Sequence, residues 1–181
     1  MKISKLLVII LIFLFRTPSL AQEQGLNKIF KLLQESTDTS FLIHNYNTHE
    51  LQFPTFKILS RINSEISLYR YSNDKTTNAK VIDPFDIDAS KLLKLKNISV
   101  EDKELLWKKM SAINPWDIKD DNIEGEGCPN KYVYHQAGIS LYLITKGKIK
   151  KLSFYAPHYF QRVCKKRAGR QSIIKLEKLF N

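Results

Sequence analysis

Four histidines and two acidic clusters are the side chains in this sequence best suited to proton transfer or metal binding. His44 and His49 lie five residues apart. That spacing turns them about 140° from each other on a helix and to opposite faces of a strand, so they make a poor local metal pair. His135 and His158 flank an apolar hairpin and can converge in a fold. With Glu124 or Glu126 beside them they would suit a hydrolase or a metal-dependent enzyme, although histidines at a core edge are the commoner outcome. Asp83, Asp86 and Asp88 form a carboxylate cluster in "DPFDID" without the glycine turn or distal glutamate of a calcium loop, so a solvated turn is expected there. No G-x-S-x-G, H-E-x-x-H, P-loop or dinucleotide fingerprint occurs in the chain. No catalytic residue, metal or cofactor is therefore assigned.

The two cysteines, Cys128 and Cys164, need a redox context, and the N-terminus supplies one. Lys2 and Lys5 precede ten unbroken apolar residues, Leu6–Phe15, and Ser19 and Ala21 then offer a small-residue cleavage site. Ten residues make about 15 Å of helix, half the thickness of a bilayer core. Residues 1–21 are expected to be a cleaved signal peptide and residues 22–181 a single domain in the periplasm or outside the cell. No stable membrane span is expected after cleavage. In an oxidising compartment Cys128 and Cys164 are expected to form one disulfide.

Charge is segregated along the chain. Residues 22–145 hold 15 Lys/Arg and 17 Asp/Glu, whereas residues 146–181 hold 11 Lys/Arg and only Glu177. The last fifth thus carries +10, and Lys150, Lys151, Lys165, Lys166, Arg167 and Arg170 are the expected centre of a cationic face. The run 117–126 carries a net charge of −4 and ends just before Cys128, so a disulfide to Cys164 would bring it beside Lys165, Lys166 and Arg167. Tyrosines are also dense in this region. Basic and aromatic residues together can suit nucleic acid, but export makes that partner improbable and packing in a sheet is the ordinary role of such tyrosines.

These residues need a scaffold. Leu26, Ile29, Phe30 and Leu33 have helical spacing, which predicts a helix over 26–35. Residues 41–51 fit strand or helix equally. Phe56–Ile62 and Glu65–Tyr71 flank Asn63-Ser64 as a hairpin, and Ile139–Thr145 and Lys148–Tyr155 flank a turn with Gly147 as another. Ala89–Leu95 reads as a short helix. A clearer helix starts at Ser99 as its cap, carries Leu106, Trp107, Met110 and Ile113 on one face, and stops at Asn114-Pro115. Pro157 is expected to start a helix turning Phe160, Val163 and Cys164 inward, Gly169 to end it, and residues 170–180 to form the last helix. The expected architecture is α+β: an antiparallel sheet of four to five strands built from two hairpins, packed on one face by several short helices.

In its signal peptide and its Lys/Asn/Ile-rich composition the chain resembles short exported proteins of Bacteroidetes-type bacteria. That resemblance implies an envelope location and carries no activity or site residue with it. The functional expectation is a non-enzymatic binding or interaction domain whose cationic C-terminal face meets an anionic envelope component or an acidic protein.

Overall fold

The strand that organises this fold is Ala137–Thr145, whose residues are buried from Gly138 through Ile144 without the alternation of a one-sided strand. Such a run must be covered on both faces. In the computed structural model, which describes residues 17–47, 55–72, 93–121, 133, 136–164 and 167–181, it lies inside a six-stranded antiparallel sheet. The strands are β1 (Thr39–Asn47), β2 (Thr55–Ile62), β3 (Glu65–Ser72), β4 (Leu93–Leu95), β5 (Ala137–Thr145) and β6 (Lys148–Tyr155), in the spatial order β4-β3-β2-β1-β5-β6. Among the described residues four helices complete the α+β fold: α1 (Thr17–Ser36), α2 (Val100–Ala112), α3 (Pro157–Val163) and α4 (Ala168–Phe180).

Both expected hairpins form, with Ile62 opposite Glu65 and Thr145 opposite Lys148 at their tips. Asn63 adopts φ 53° in the first turn, a region that asparagine tolerates. Two strands join the four of the hairpins, giving six where four to five were expected. One is β1, which pairs with β2 on one side and β5 on the other and so joins the hairpins into one sheet. The other is β4. Leu93–Leu95 is strand, not the end of a helix, because Tyr71 and Tyr69 of β3 pair with Leu93 and Leu95. Pairing along an open edge outweighs the weak helical preference of three residues.

Strand alternation divides the core in two. Phe41, Ile43, Leu59, Ile66, Leu68, Ile139, Leu141, Leu143, Leu152 and Phe154 point to one face, where Met110 of α2 and Ile173, Leu176 and Phe180 of α4 cover them. Leu42, Phe56, Ile58, Tyr71, Tyr142 and Ile144 point to the other, under Ile29, Phe30 and Leu33 of α1. Each such side chain contributes about 1.5–3 kcal/mol by leaving water. Helices thus cover both faces and not one as expected: α2 and α4 lie on the first, and α1, which contains the helix expected over 26–35, lies on the second.

Helix ends follow their chemistry. Ser99 caps α2 by accepting from the Asp102 amide at 3.0 Å, with Glu101 and Asp102 in the positive first turn. Pro157 opens α3, which buries Phe160 and leads to buried Cys164 but leaves Val163 exposed. Gly169 does not end that helix. It stands in the first turn of α4, where a Cβ would come within 2.4 Å of the Lys119 carbonyl oxygen. The glycine is required by the close approach of two backbones, a need that no local pattern announces.

Candidate functional site

The segment after α2 turns at Asn114 (φ 51°), passes through a 3₁₀ turn at Pro115–Asp117, and runs on to Asp121. Between it and the first turn of α4 opens a cleft of about 550 Å³, bordered by Asp117, Lys119, Arg167, Gly169 and Ser172 among others. Asp121 and Arg170 form its inner wall. Arg170 is 0% exposed, and its Nε donates to Asp121 Oδ2 at 2.5 Å while Nη1 donates to the Cys164 carbonyl at 2.7 Å. The guanidinium lies 5.5 Å from the centre of the Phe160 ring. Arg167 Nη1 is 3.6 Å from Asp121 Oδ1, within ion-pair range though too long for a hydrogen bond.

This arrangement divides the six cations expected to form one face. Arg170 belongs to the interior and is removed from any contact surface, because its charge is matched by Asp121 and not by solvent. Arg167 leans on the same carboxylate. Lys150 donates to the Trp116 and Ile118 carbonyls at 2.5 and 2.7 Å, closing the 3₁₀ segment against β6. Lys151 projects from the opposite face of the sheet, 5.6 Å from the centre of the Tyr142 ring. Lys165 and Lys166 lie outside the described residues. Asp120 meanwhile accepts from the Ser153 amide at 2.7 Å, satisfying a donor on the outer edge of β6.

A second polar group sits where α3 and α4 meet β1. Glu177 Oε2 lies 2.6 Å from His158 Nε2, and Glu177 Oε1 accepts from Asn45 Nδ2 at 2.8 Å. The carboxylate is largely shielded and the imidazole more than half exposed. A carboxylate in this position fixes a ring while its other nitrogen faces outward. Next to it Lys57 donates to the Phe180 carbonyl and to Asn181 Oδ1 at 3.0 and 2.7 Å, placing a cation on the negative end of α4. Burial, reinforced by Lys96 and Arg70, holds the Lys57 pKa below its ordinary value.

The partner found by His158 is Glu177, a residue that spacing alone did not connect with it. His135, Glu124, Glu126, His49, Asp83, Asp86 and Asp88 lie outside the described residues, as does Cys128. Cys164 is buried, and no described cysteine is free. Among the described residues no group of three or more His, Cys, Asp or Glu side chains is placed to hold a metal ion. No described helix is long and apolar enough to cross a membrane.

No protein-family model matches the chain, and no curated protein matches it either. Geometry alone must carry the functional reading. Sequence reasoning missed three cations that stand apart from this network. Arg162 on α3 and Lys175 and Lys178 on α4 are exposed and form no ion pair among the described residues. Their signal was available: Gln171, Lys175 and Lys178 recur at i, i+4 and i+7, opposite the Ile173–Leu176–Phe180 stripe.

Proposed function

We propose that the chain is an exported, non-enzymatic binding domain that meets an anionic partner through the outer side of α3 and α4. The observation that carries this reading is the exposed set Arg162, Lys175 and Lys178, cations left over after the fold has used Arg167, Arg170 and Lys150 internally. Lys165 and Lys166, adjoining in sequence, extend the same charge. The partner class is an acidic envelope component or an acidic protein surface. Export would follow cleavage near Ala21, which spares Ile29, Phe30 and Leu33 of α1, and the expected disulfide would join Cys128 to Cys164. Intact mass with thiol alkylation, before and after reduction, tests both points.

Binding is tested with the mature protein on vesicles rich in phosphatidylglycerol and, separately, on poly-glutamate. Retention should fall steeply as salt rises from about 0.1 M to about 1 M, where the screening length shrinks from about 10 Å to about 3 Å. An Arg162→Glu/Lys175→Glu/Lys178→Glu variant should lose binding with an unchanged melting temperature. Undiminished binding by that variant would sink the assignment of this face.

The His158–Glu177 contact supports a second reading, an envelope hydrolase with His158 as general base. It requires turnover of an ester or phosphodiester substrate that His158→Ala abolishes and Glu177→Gln weakens. Turnover unaffected by His158→Ala would dismiss it.

A further inference from the structure

Buried polar groups in folded proteins are hydrogen-bonded as a rule, so an exception calls for an explanation. The buried polar and charged residues among those described are Thr37, Ser40, Ser60, Asp121, Ser140 and Arg170. Thr37 Oγ1 bonds to the Leu33 carbonyl at 2.6 Å, and the hydroxyls of Thr37, Ser40 and Ser60 form a chain with 2.8 Å steps. Asp121 Oδ2 bonds to Arg170, whereas Asp121 Oδ1 has no hydrogen bond and lies 3.6 Å from Arg167 Nη1, which accounts for it as an ion pair. Ser140 differs. It is 6% exposed, and its hydroxyl makes no hydrogen bond among the described residues while its oxygen is not sealed from solvent.

The sheet register shows what surrounds it. Ser140 on β5 stands opposite His44 on β1 and Ser153 on β6, positions where Cβ atoms are about 4.5–5.5 Å apart. One step along, Tyr142 stands opposite Lys151; one step the other way, Gly138 stands opposite Tyr46 and Tyr155. Alternation from Leu42 and Tyr142 puts all of these on the α1 side of the sheet. Gly138 is needed there: a Cβ would come within 2.1 Å of Tyr46 Cζ, so only glycine lets that ring lie across β5.

His44 is half-buried, with its ring 4.8 Å from Phe56 and 5.9 Å from Tyr46, and neither nitrogen has a hydrogen-bond partner among the described residues. Burial first, and the Lys151 charge second, hold its pKa below 6.5. Near neutral pH it therefore offers one donor and one acceptor. No Asp or Glu occurs in 40–46, 137–144 or 149–155, the strand segments that build this region. The patch thus combines the Tyr46 ring, one exposed ammonium, and two shielded groups with open hydrogen-bonding capacity.

We propose that it binds a small planar ring bearing a carboxylate. The ring lies against Tyr46, the carboxylate faces Lys151, and the Ser140 hydroxyl and His44 supply the directional hydrogen bonds. The patch is on the opposite side of the sheet from α3 and α4, so its ligand is independent of the partner proposed above.

Benzoate is the probe, titrated into the full-length mature protein while the His44 ring resonances are followed by NMR. A saturable shift is expected, weakened at least about tenfold by Lys151→Gln and by Ser140→Ala. Benzamide, which keeps the ring and lacks the charge, should bind at least about tenfold more weakly than benzoate. Glucuronate tests whether the ring must be flat: binding as tight as benzoate overturns the planar-ring assignment. Absence of a saturable shift, or one that Lys151→Gln leaves unchanged, overturns the site. Gly138→Ala provides a separate arm, because it displaces the Tyr46 ring and should weaken benzoate even where the melting temperature is retained.

Discussion

Replacing Asp121 with asparagine removes one charge from a pair whose other member has no access to water. Arg170 is fully buried, so no solvent stands ready to replace a lost partner of its guanidinium. Its Nε sits 2.5 Å from Asp121 Oδ2, and it also meets the Cys164 carbonyl and the Phe160 ring. Breaking a buried pair from one side costs about 3–5 kcal/mol. For a domain of this length each kcal/mol lowers the melting temperature by about 2–4 °C, so Asp121→Asn should melt about 6–20 °C earlier. Urea unfolding with linear extrapolation measures the energy directly. The double variant Asp121→Leu/Arg170→Met supplies the control. It removes both charges and keeps apolar volume, and should be more stable than Asp121→Asn, because a desolvated pair contributes little net stability even though its severing is costly. A loss below about 1 kcal/mol for Asp121→Asn would match an exposed pair and refute the burial of Arg170. A double variant no better than the single one would refute the pairing itself.

Gly169→Ala should destabilise by about 1–3 kcal/mol, since the added Cβ meets the Lys119 carbonyl and one backbone must move; an unchanged urea midpoint would contradict that contact. Ser99→Ala should cost about 1 kcal/mol through loss of the α2 cap, whereas Ser99→Asp should largely preserve stability, as read from thermal melts. His44 has a folded pKa lowered by burial and by Lys151, so the unfolded chain binds its proton more readily. Its contribution is complete above about 6.5, the unfolded value, and declines as pH falls from there toward the lowered folded value. A His44→Gln variant should show a flatter dependence of urea midpoint on pH through that interval, and an identical slope in both proteins would count against the shift.

Local pattern was enough for some elements and not for others, and the difference has a physical basis. The hairpins were legible because each has two β-rich runs around a turn dipeptide, and β3 alternates cleanly, with Ile66 and Leu68 on one face and Tyr69 and Tyr71 on the other. β1 was ambiguous for the opposite reason: Phe41, Leu42 and Ile43 are consecutive apolar residues because both faces of that strand are covered. β4 exists only because β3 offers it an edge. Arg170 was read as surface from its charge, and its true place depends on a carboxylate 49 residues earlier in the chain. The Ser140–His44 pairing spans still more sequence and follows from β1 lying beside β5, a topology that no local pattern encodes.

The C-terminal excess of charge is best understood as two populations that sequence alone cannot separate. Arg167, Arg170, Lys150 and Lys146 each meet a specific group: Asp121, the Cys164 carbonyl, the 3₁₀ carbonyls, or Asp38 at 3.3 Å. Lys148 and Lys150 also place charge along β6, an open edge where lysine discourages pairing with another chain. These cations hold the fold together or keep its edge from pairing, and a high count of them carries no information about a ligand. Arg162, Lys175 and Lys178 have no comparable duty within the described residues, and they stand on helices whose inner faces are already committed to the core. A cation retained on the surface without a structural task is the kind of residue a binding surface needs. The segregation seen in sequence is therefore informative only after the structural cations are subtracted, and what remains supports the outer helical layer as the contact proposed above.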